Sequence, residues 1–530
     1  MRFMLKYFLL VVLFSIGYIE ALKVLIQVLT GGQSHVNYAA AMVNALAERG
    51  HTVDILVPLH NPRVIINKSM NYRNFFLVEH AGSLPFHKVP YLTKRFDEAF
   101  HTKFDPAITE STILLCEDTL NNHELMENLK TERYDVGLFA AITACNVGIF
   151  HLIGIRSYHA YMPLATDGVF QVLGVPVPAS YLSGGSFSIM NKRSKMSFIE
   201  RSQSLLAHWK FSYYMHDLLE QETQLFRRYY PEFPPMVNVF KNLTYYFENT
   251  EPLLSIPHPY SEKIKLIGGI GMREPQTLTD EYNRLLNGSK SGVILFSFGT
   301  MLRIEQVPIE SQLEILEAFD EFPDHLFIWK HEKPKMIESY LKQNTTHVRL
   351  VPWMPQKDLL NDSRVKMFIS HVGLNSYLEA VHASVPVVAV PLFADQPTNA
   401  AAIVEKELGV VVQPKQLNRQ TLSDAIREVL QNNKYKRNMQ EMSKRLKTKP
   451  FDSKEIFVRS VEFAAQFPSL GHDLQLASHD MNLITYFCVD VMAVMLVIIV
   501  SSVWLIWRLV RGLYFLLTSV RLKTMKMKTQ

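Results

Sequence analysis

Residues 351–396 read VPWMPQKDLLNDSRVKMFISHVGLNSYLEAVHASVPVVAVPLFADQ. Two short apolar runs lie in this stretch, 367–370 and 387–391. Between them a His-x-Gly-x-Asn-Ser turn, 371–376, opens a helical pattern that carries Glu379. Trp353 and Gln356 stand ahead of the first run, and Asp395 and Gln396 follow the second. Strand, glycine turn, helix and second buried strand make a βαβ unit, so the chain reads as α/β with a parallel sheet.

Each polar group here has a physical task that its place allows. Trp353 offers a flat face for a base to stack on, and Gln356 an amide for a base edge. His371 and the backbone N–H groups of Gly373, Asn375 and Ser376 stand at a helix start. There the unsatisfied donors and the helix dipole favour a diphosphate. Gly373 has no side chain, so the backbone can approach phosphate closely. Glu379 comes roughly two turns after His371 at ~3.6 residues per turn, and is expected on the same side, accepting from ribose hydroxyls. Asp395 and Gln396 follow the carboxyl end of a strand, the edge at which open α/β sheets bind ligands. Together they read as a site for a nucleotide diphosphate sugar.

This block closely resembles the signature of the UDP-glycosyltransferases, the family that includes the UDP-glucuronosyltransferases. The matching residues are Trp353, Pro355-Gln356, His371, Gly373, Asn375, Glu379, Pro391-Leu392-Phe393 and Asp395-Gln396. The resemblance implies a GT-B fold, with two Rossmann-like domains facing across a cleft and the donor held mainly by the second. It also implies UDP-glucuronate or UDP-glucose as co-substrate, and a small lipophilic hydroxyl-bearing acceptor. Ser297 or Thr300 would donate to the diphosphate, as matching positions do in that family. No separate cofactor and no metal is called for, because the helix start at 373–376 can carry the phosphate charge.

Outside the block the alternation of strands and helices continues. In the second half, 292–298 reads as a buried strand turning at Gly299-Thr300, with further strands at 326–329, 348–351 and 409–412. Helical patterns at 422–430 and 435–446 close this half, and 453–466 is expected to cross back to the first. In the first half, 24–29 is a continuous apolar run, the sign of a strand buried on both faces. Residues 36–49 have helical spacing ended by Gly50, and 51–58 is the next strand. Strands are also expected at 134–140 and 263–267. Residues 158–235 mix Gly, Pro, Ser and aromatics and are expected to form loops and short helices around a cleft. The expected organisation is an acceptor-binding domain at 22–267, a linker at 268–291, a UDP-sugar-binding domain at 292–450 and a crossover helix with juxtamembrane segment at 451–480.

At 530 residues the chain needs more than one domain. Its net charge of +5 is small for that length and makes no case for nucleic acid. Arg2 and Lys6, an apolar run at 7–17 and Ala21 have the layout of a signal peptide over 1–21. Residues 483–507 are apolar apart from Asp490 and a few neutral polar groups, long enough to cross a bilayer. Arg508, Arg511, Arg521, Lys523, Lys526 and Lys528 follow with no acidic residue, which places 508–530 in the cytosol. The expectation is a single-pass type I protein of the endoplasmic reticulum membrane with lumenal catalytic domains. The ending Lys526-Met527-Lys528-Thr529-Gln530 resembles a dilysine retrieval signal. Asn67, Asn242, Asn287 and Asn344 open sequons for glycosylation in that compartment. Cys116, Cys145 and Cys488 show no metal-ligand spacing, and a Cys116–Cys145 pairing is left open, as is a homo- or hetero-oligomeric state.

Glycosyl transfer to a hydroxyl needs a base. His35, just past the first strand, is the candidate, because imidazole titrates near neutral pH. A His in this loop serves as the base in the resembled family. That family places an Asp or Glu five residues after the Asp of a Phe/Tyr-Asp-Val strand opening. Here the opening is Tyr134-Asp135-Val136, the residue five beyond Asp135 is Ala140, and the family Cys is present as Cys145. The orienting carboxylate is therefore missing, which can cost up to ~10⁴ in rate. Asp167 or Asn146 orienting His35, His35 acting alone on acidic phenol-like acceptors, and a UDP-sugar-binding pseudoenzyme or partner subunit all remain open. A nucleotide-cofactor oxidoreductase is excluded by the lack of a G-x-G-x-x-G after the first strand.

Overall fold

The computed structural model describes residues 21–66, 70–80, 106–164, 168–182, 195–300, 302, 304, 307–341 and 345–527. The stretch before Ala21 that was read as a signal peptide, Asn67, Asn344, Asp167 and the last three residues lie outside them. The chain forms two compact units, Met1–Gln475 and Leu476–Gln530.

The first unit holds two sheets. The strands of the first are β1 (Lys23–Gln27), β2 (Thr52–Pro58), β3 (Phe75–Val78), β4 (Val136–Ala140), β5 (Ser157–Met162), β6 (Tyr246–Glu248) and β7 (Ile264–Leu266). The second contains β8 (Val293–Ser297), β9 (Leu326–Lys330), β10 (Val348–Val351), β11 (Val365–Ser370), β12 (Val387–Ala389) and β13 (Gly409–Val411). Their spatial orders are β3-β2-β1-β4-β5-β6-β7 and β10-β9-β8-β11-β12-β13. Neighbours run parallel throughout. Both are the doubly wound order, which reverses between β1 and β4 and between β8 and β11, and ligands bind at such reversals.

The sequence dictates this locally. Val24, Leu25 and Ile26 are buried to zero exposure because helices cover both faces of a parallel sheet. Helix α1 (Gln33–Glu48) lays Val36, Ala39, Met42, Val43 and Leu46 on that sheet. Gly50, at φ 95°, then turns the chain into β2. Helix α2 (Cys145–Leu152) is tied to the helix Pro106–Asn121 by a Cys116–Cys145 disulfide. In the second sheet Phe296 stacks on Trp329 at 5.1 Å between ring centroids.

Helix α3 (Phe198–Tyr229) runs for 32 residues through the region expected to be loops and short helices. Its signal was a capping box: Ser197 Oγ accepts from Glu200 N–H and Glu200 Oε2 from Ser197 N–H. The stretch read as linker also carries a helix, Asp280–Asn287, capped by Thr279. Helix α4 (Leu374–His382) starts after Gly373, so His371 precedes it and does not share its face with Glu379. Helix α5 (Ser453–Gln466) gives Phe457, Val458, Val461 and Ala464 to the first sheet's core. Its buried Glu462 accepts from Arg49 Nε at 3.3 Å and lies 3.2 Å from His51 Nε2.

The second unit is dominated by helix α6 (Val489–Met527), of which Val489–Val520 is long and apolar enough to cross a membrane. It begins later and ends later than the expected 483–507. Cys488, at φ 52°, breaks it from the short helix Leu483–Tyr486. It does not stop at Trp507 because Gly-Leu-Tyr-Phe-Leu-Leu follows Arg511 and restores the apolar pattern.

Candidate active site

The two reversals of strand order carry the residues singled out above. At the second, β8 leaves through Ser297, Gly299 and Thr300, and β11 leaves through His371. The His371 ring is wedged between two glycines. A Cβ on Gly299 would stand 2.6 Å from His371 Nε2, and one on Gly373 2.7 Å. A side chain at either position would have to push the ring aside. The His371 N–H donates to Ser297 O at 3.4 Å, tying the two loops together. Burial holds the imidazole down at about 4, so the ring is neutral and presents one N–H donor at neutral pH. Ser297 is buried, and its Oγ accepts from Gly299 N–H at 3.1 Å, while Thr300 is exposed.

Three expected donor-site residues meet in one network. Gln356 Nε2 donates to Glu379 Oε2 at 2.6 Å and to Ser376 Oγ at 3.1 Å. The Gln356 amide is thus engaged with its own site. Burial raises the pKa of the Glu379 carboxyl, and the Gln356 hydrogen bond opposes that rise. Trp353 is 64% exposed, its carbonyl fixed by the Tyr282 hydroxyl at 3.2 Å. An indole held in the open by its backbone can stack on a flat ring.

Asp395 and Gln396 are turned inward. Asp395 Oδ2 accepts from Leu374 N–H at 3.2 Å and Asn399 Nδ2 at 2.7 Å. Gln396 Oε1 accepts from the N–H groups of Leu392 and Phe393 at 2.7 and 3.0 Å. The cause is local. Gly373 has no side chain with which to cap α4, so Asp395 supplies the cap from the next strand. Burial raises the Asp395 carboxyl to about 6.

At the first reversal, β1 leads to His35 in the first turn of α1, and β4 ends at Ala140. His35 is buried, its Nδ1 has no hydrogen-bond partner among the described residues, and burial holds its pKa at about 4. Asn146 is buried at the start of α2 and makes no hydrogen bond to that nitrogen. Beside Ala140 a polar side chain has moved in: Gln27 Oε1 accepts from Ala140 N–H at 2.8 Å. A cavity of about 10 Å³ remains, lined by Gln27, Ala140, Thr143 and Asn146. That is room for one water.

Three residues escaped the sequence reading. Lys330, buried at the end of β9, donates to Gly299 O at 2.8 Å and pairs with Glu332, placing a cation by the Gly299 loop. Asn249 reaches from the first half to donate to Asn375 Oδ1 at 3.1 Å. Glu222 of α3 accepts from the N–H groups of Ala144 and Cys145 at 3.0 and 3.1 Å, capping α2, and burial raises it to about 7. A Lys closing an apolar strand was visible in the sequence; the other two had no local signal.

Two doubly wound domains with loops at both reversals define the GT-B class of glycosyltransferases. Among solved structures the chain is similar to Os79 of O. sativa, crystallised with U2F and trichothecene (17% identity, TM-score 0.59, covering 84% of this chain and 99% of that one). It is likewise similar to a UDP-glucosyltransferase of Polygonum tinctorium capable of glucosylating indoxyl (16%, TM-score 0.56, 85% and 99%). Among curated proteins it is 26% identical to a putative UDP-glucuronosyltransferase, ugt-50, of Caenorhabditis elegans, over 89% of this chain and 92% of the relative. It is 25% identical to UDP-glucuronosyltransferase 1A5 of Rattus norvegicus, over 94% and 93%. The model of the UDP-glucoronosyl and UDP-glucosyl transferase family matches residues 23–524, and the chain belongs to that family of glycosyltransferases.

Proposed function

We propose that this protein moves a hexuronosyl or hexosyl group from a UDP-sugar to small lipophilic hydroxyl acceptors, with inversion, at the lumenal side of the endoplasmic reticulum membrane. The observation that carries the reading is the meeting of Gln356, Ser376 and Glu379 beside exposed Trp353 and the His371 loop. Uridine would stack on Trp353, ribose hydroxyls would donate to Glu379, and the diphosphate would lie at the α4 N-terminus.

His35 takes the acceptor's hydroxyl proton as the oxygen attacks the anomeric carbon. The new C–O bond forms on the face opposite the breaking bond to the diphosphate, whose β-phosphate leaves with the electron pair. Donors at the start of α4 and the His371 N–H meet the developing charge. With a pKa near 4, His35 is neutral and able to accept at physiological pH, but it is a weak base. That suits acidic phenol-like acceptors, which need the least help.

Membranes holding the protein, supplied with UDP-sugars and a panel of phenols, test this directly. Conjugate that disappears with His35→Ala supports the reading. UDP-sugar binding with no conjugate overturns the transfer and leaves a donor-binding partner subunit.

A further inference from the structure

Six non-glycine residues among those described have a left-handed backbone: Arg133, Val372, Ser384, Ala394, Glu407 and Cys488. Arg133, Ser384, Glu407 and Cys488 each directly follow the C-cap of a helix, where that conformation is an ordinary way to stop. The other two follow strands instead. Val372, at φ 56°, lies just past the end of β11. Ala394, at φ 55°, comes after β12 and directly before Asp395, which starts the helix Gln396–Glu405. Val372 is β-branched and fully buried, the kind of residue least suited to a left-handed backbone. Such a turn relaxes unless its surroundings hold it.

One buried side chain joins the two turns. Asn399, in the helix Gln396–Glu405, donates through Nδ2 to Val372 O at 3.0 Å and to Asp395 Oδ2 at 2.7 Å. The same Oδ2 accepts from Leu374 N–H, and Val372 N–H donates to Ser370 Oγ at 3.0 Å. The peptide units on both sides of Val372 are thereby fixed, which sets the direction of the chain into Gly373 and α4. Ser370, Asp395 and Asn399 are all buried, so water does not compete for these bonds.

We propose that Asn399 is a positioning residue for the UDP-sugar: it locks Val372 in its strained form against the Ala394 turn, so that the α4 N-terminus is already aimed when the diphosphate arrives. This rests on the donor site of the proposed function. The gain is preorganisation, because strain that the fold already bears does not have to be generated by binding. Without Asn399 the Val372 peptide unit is free to rotate to a commoner conformation, and the diphosphate must drive it back.

Calorimetric titration of the full-length protein with UDP tests this through a pair of substitutions. Asn399→Ala should weaken UDP binding by about ten-fold or more, and raise KM for the UDP-sugar while leaving KM for the acceptor unchanged. Val372→Gly removes the strain, because glycine takes positive φ freely. Added to Asn399→Ala it should recover most of the lost affinity, although each change lowers the melting temperature. A double variant that binds UDP no better than Asn399→Ala overturns the proposal, since a merely structural Asn399 would leave the two losses additive. Hydrogen exchange provides a reading that needs no variant. The Val372 and Leu374 amides should exchange slowly in the UDP-free protein; fast exchange that slows only with UDP overturns the proposal as well. Equal UDP binding by the natural protein and Asn399→Ala overturns this inference alone. No UDP binding by the natural protein overturns the donor site and this inference with it.

Discussion

Asn249, just beyond β6 in the first half of the chain, donates through Nδ2 to Asn375 Oδ1 at 3.1 Å, in the first turn of α4. The same Nδ2 also reaches Pro163 O at 3.1 Å, so the link is braced from its own domain. One side chain thus holds the two halves at the point proposed for the diphosphate. A net hydrogen bond contributes about 0.5–1.5 kcal/mol. Asn249→Ala should therefore raise KM for the UDP-sugar about three- to ten-fold with kcat little changed. Steady-state kinetics at saturating acceptor measures it, and a fall in kcat with KM intact would give Asn249 a different role.

A carboxylate restored at position 140 tests the proposed role of His35 as base. Ala140 is buried at the end of β4, and Gln27 and a one-water cavity occupy the space beside it. Ala140→Asp should place a charge near His35 Nδ1, raise the imidazole pKa and strengthen the base. We expect kcat to rise by about ten-fold or more with a weakly acidic alcohol, and far less with an acidic phenol. The pH–rate profile provides the second reading. Activity of the natural protein should fall only as pH drops toward about 4, where His35 protonates. In Ala140→Asp that acid limb should move to higher pH. An unmoved limb would mean that the new carboxylate does not reach His35.

At the donor loop, sterics give a sharper handle than charge. Gly373 has φ −56°, which any residue adopts, so the cost of an added methyl lies in its contact with the His371 ring, 2.7 Å from Nε2. Gly373→Ala should displace that ring, weaken UDP binding by about ten-fold or more and leave the melting temperature nearly unchanged. Glu379→Ala should weaken UDP binding similarly, since it removes the proposed ribose acceptor and leaves the Gln356 amide held by Ser376 alone. Calorimetric titration with UDP reads both, without need of acceptor or turnover.

Much of this architecture was legible because parallel strands are buried on both faces and so read as unbroken apolar runs. Residues 24–29 and 292–298 announced β1 and β8, and the His371 to Ser376 turn announced the loop between β11 and α4. Helix α3 was not legible by periodicity: its two opposite apolar faces blur a 3.6-residue pattern, and only Ser197 and Glu200 betrayed its start. The Asn249–Asn375 bond joins residues 126 apart in sequence, and nothing local marks either one for the other. Asp395 was read as a sugar ligand because it follows a strand end. Its carboxylate also caps α4 through Oδ2, a need created by Gly373, which has no side chain to do so.

His159 supplies a test of stability independent of the site. It lies on β5 with no exposure, stacked on Tyr245 at 5.8 Å and edge-on to Phe247 at 5.8 Å, with neither ring nitrogen hydrogen-bonded among the described residues. Burial lowers its pKa to about 3, against an unfolded value near 6.5. The folded state therefore binds fewer protons than the unfolded chain below pH 6.5, and stability is lost as pH falls from there toward 3. His159→Phe keeps the flat aromatic shape and removes both unpaired nitrogens. It should stabilise the protein by about 1–3 kcal/mol at pH 7.5 and by more at pH 5.5. Denaturant midpoints at the two pH values measure the gain. A variant less stable than the natural protein at pH 7.5 would show that ordered water satisfies the ring.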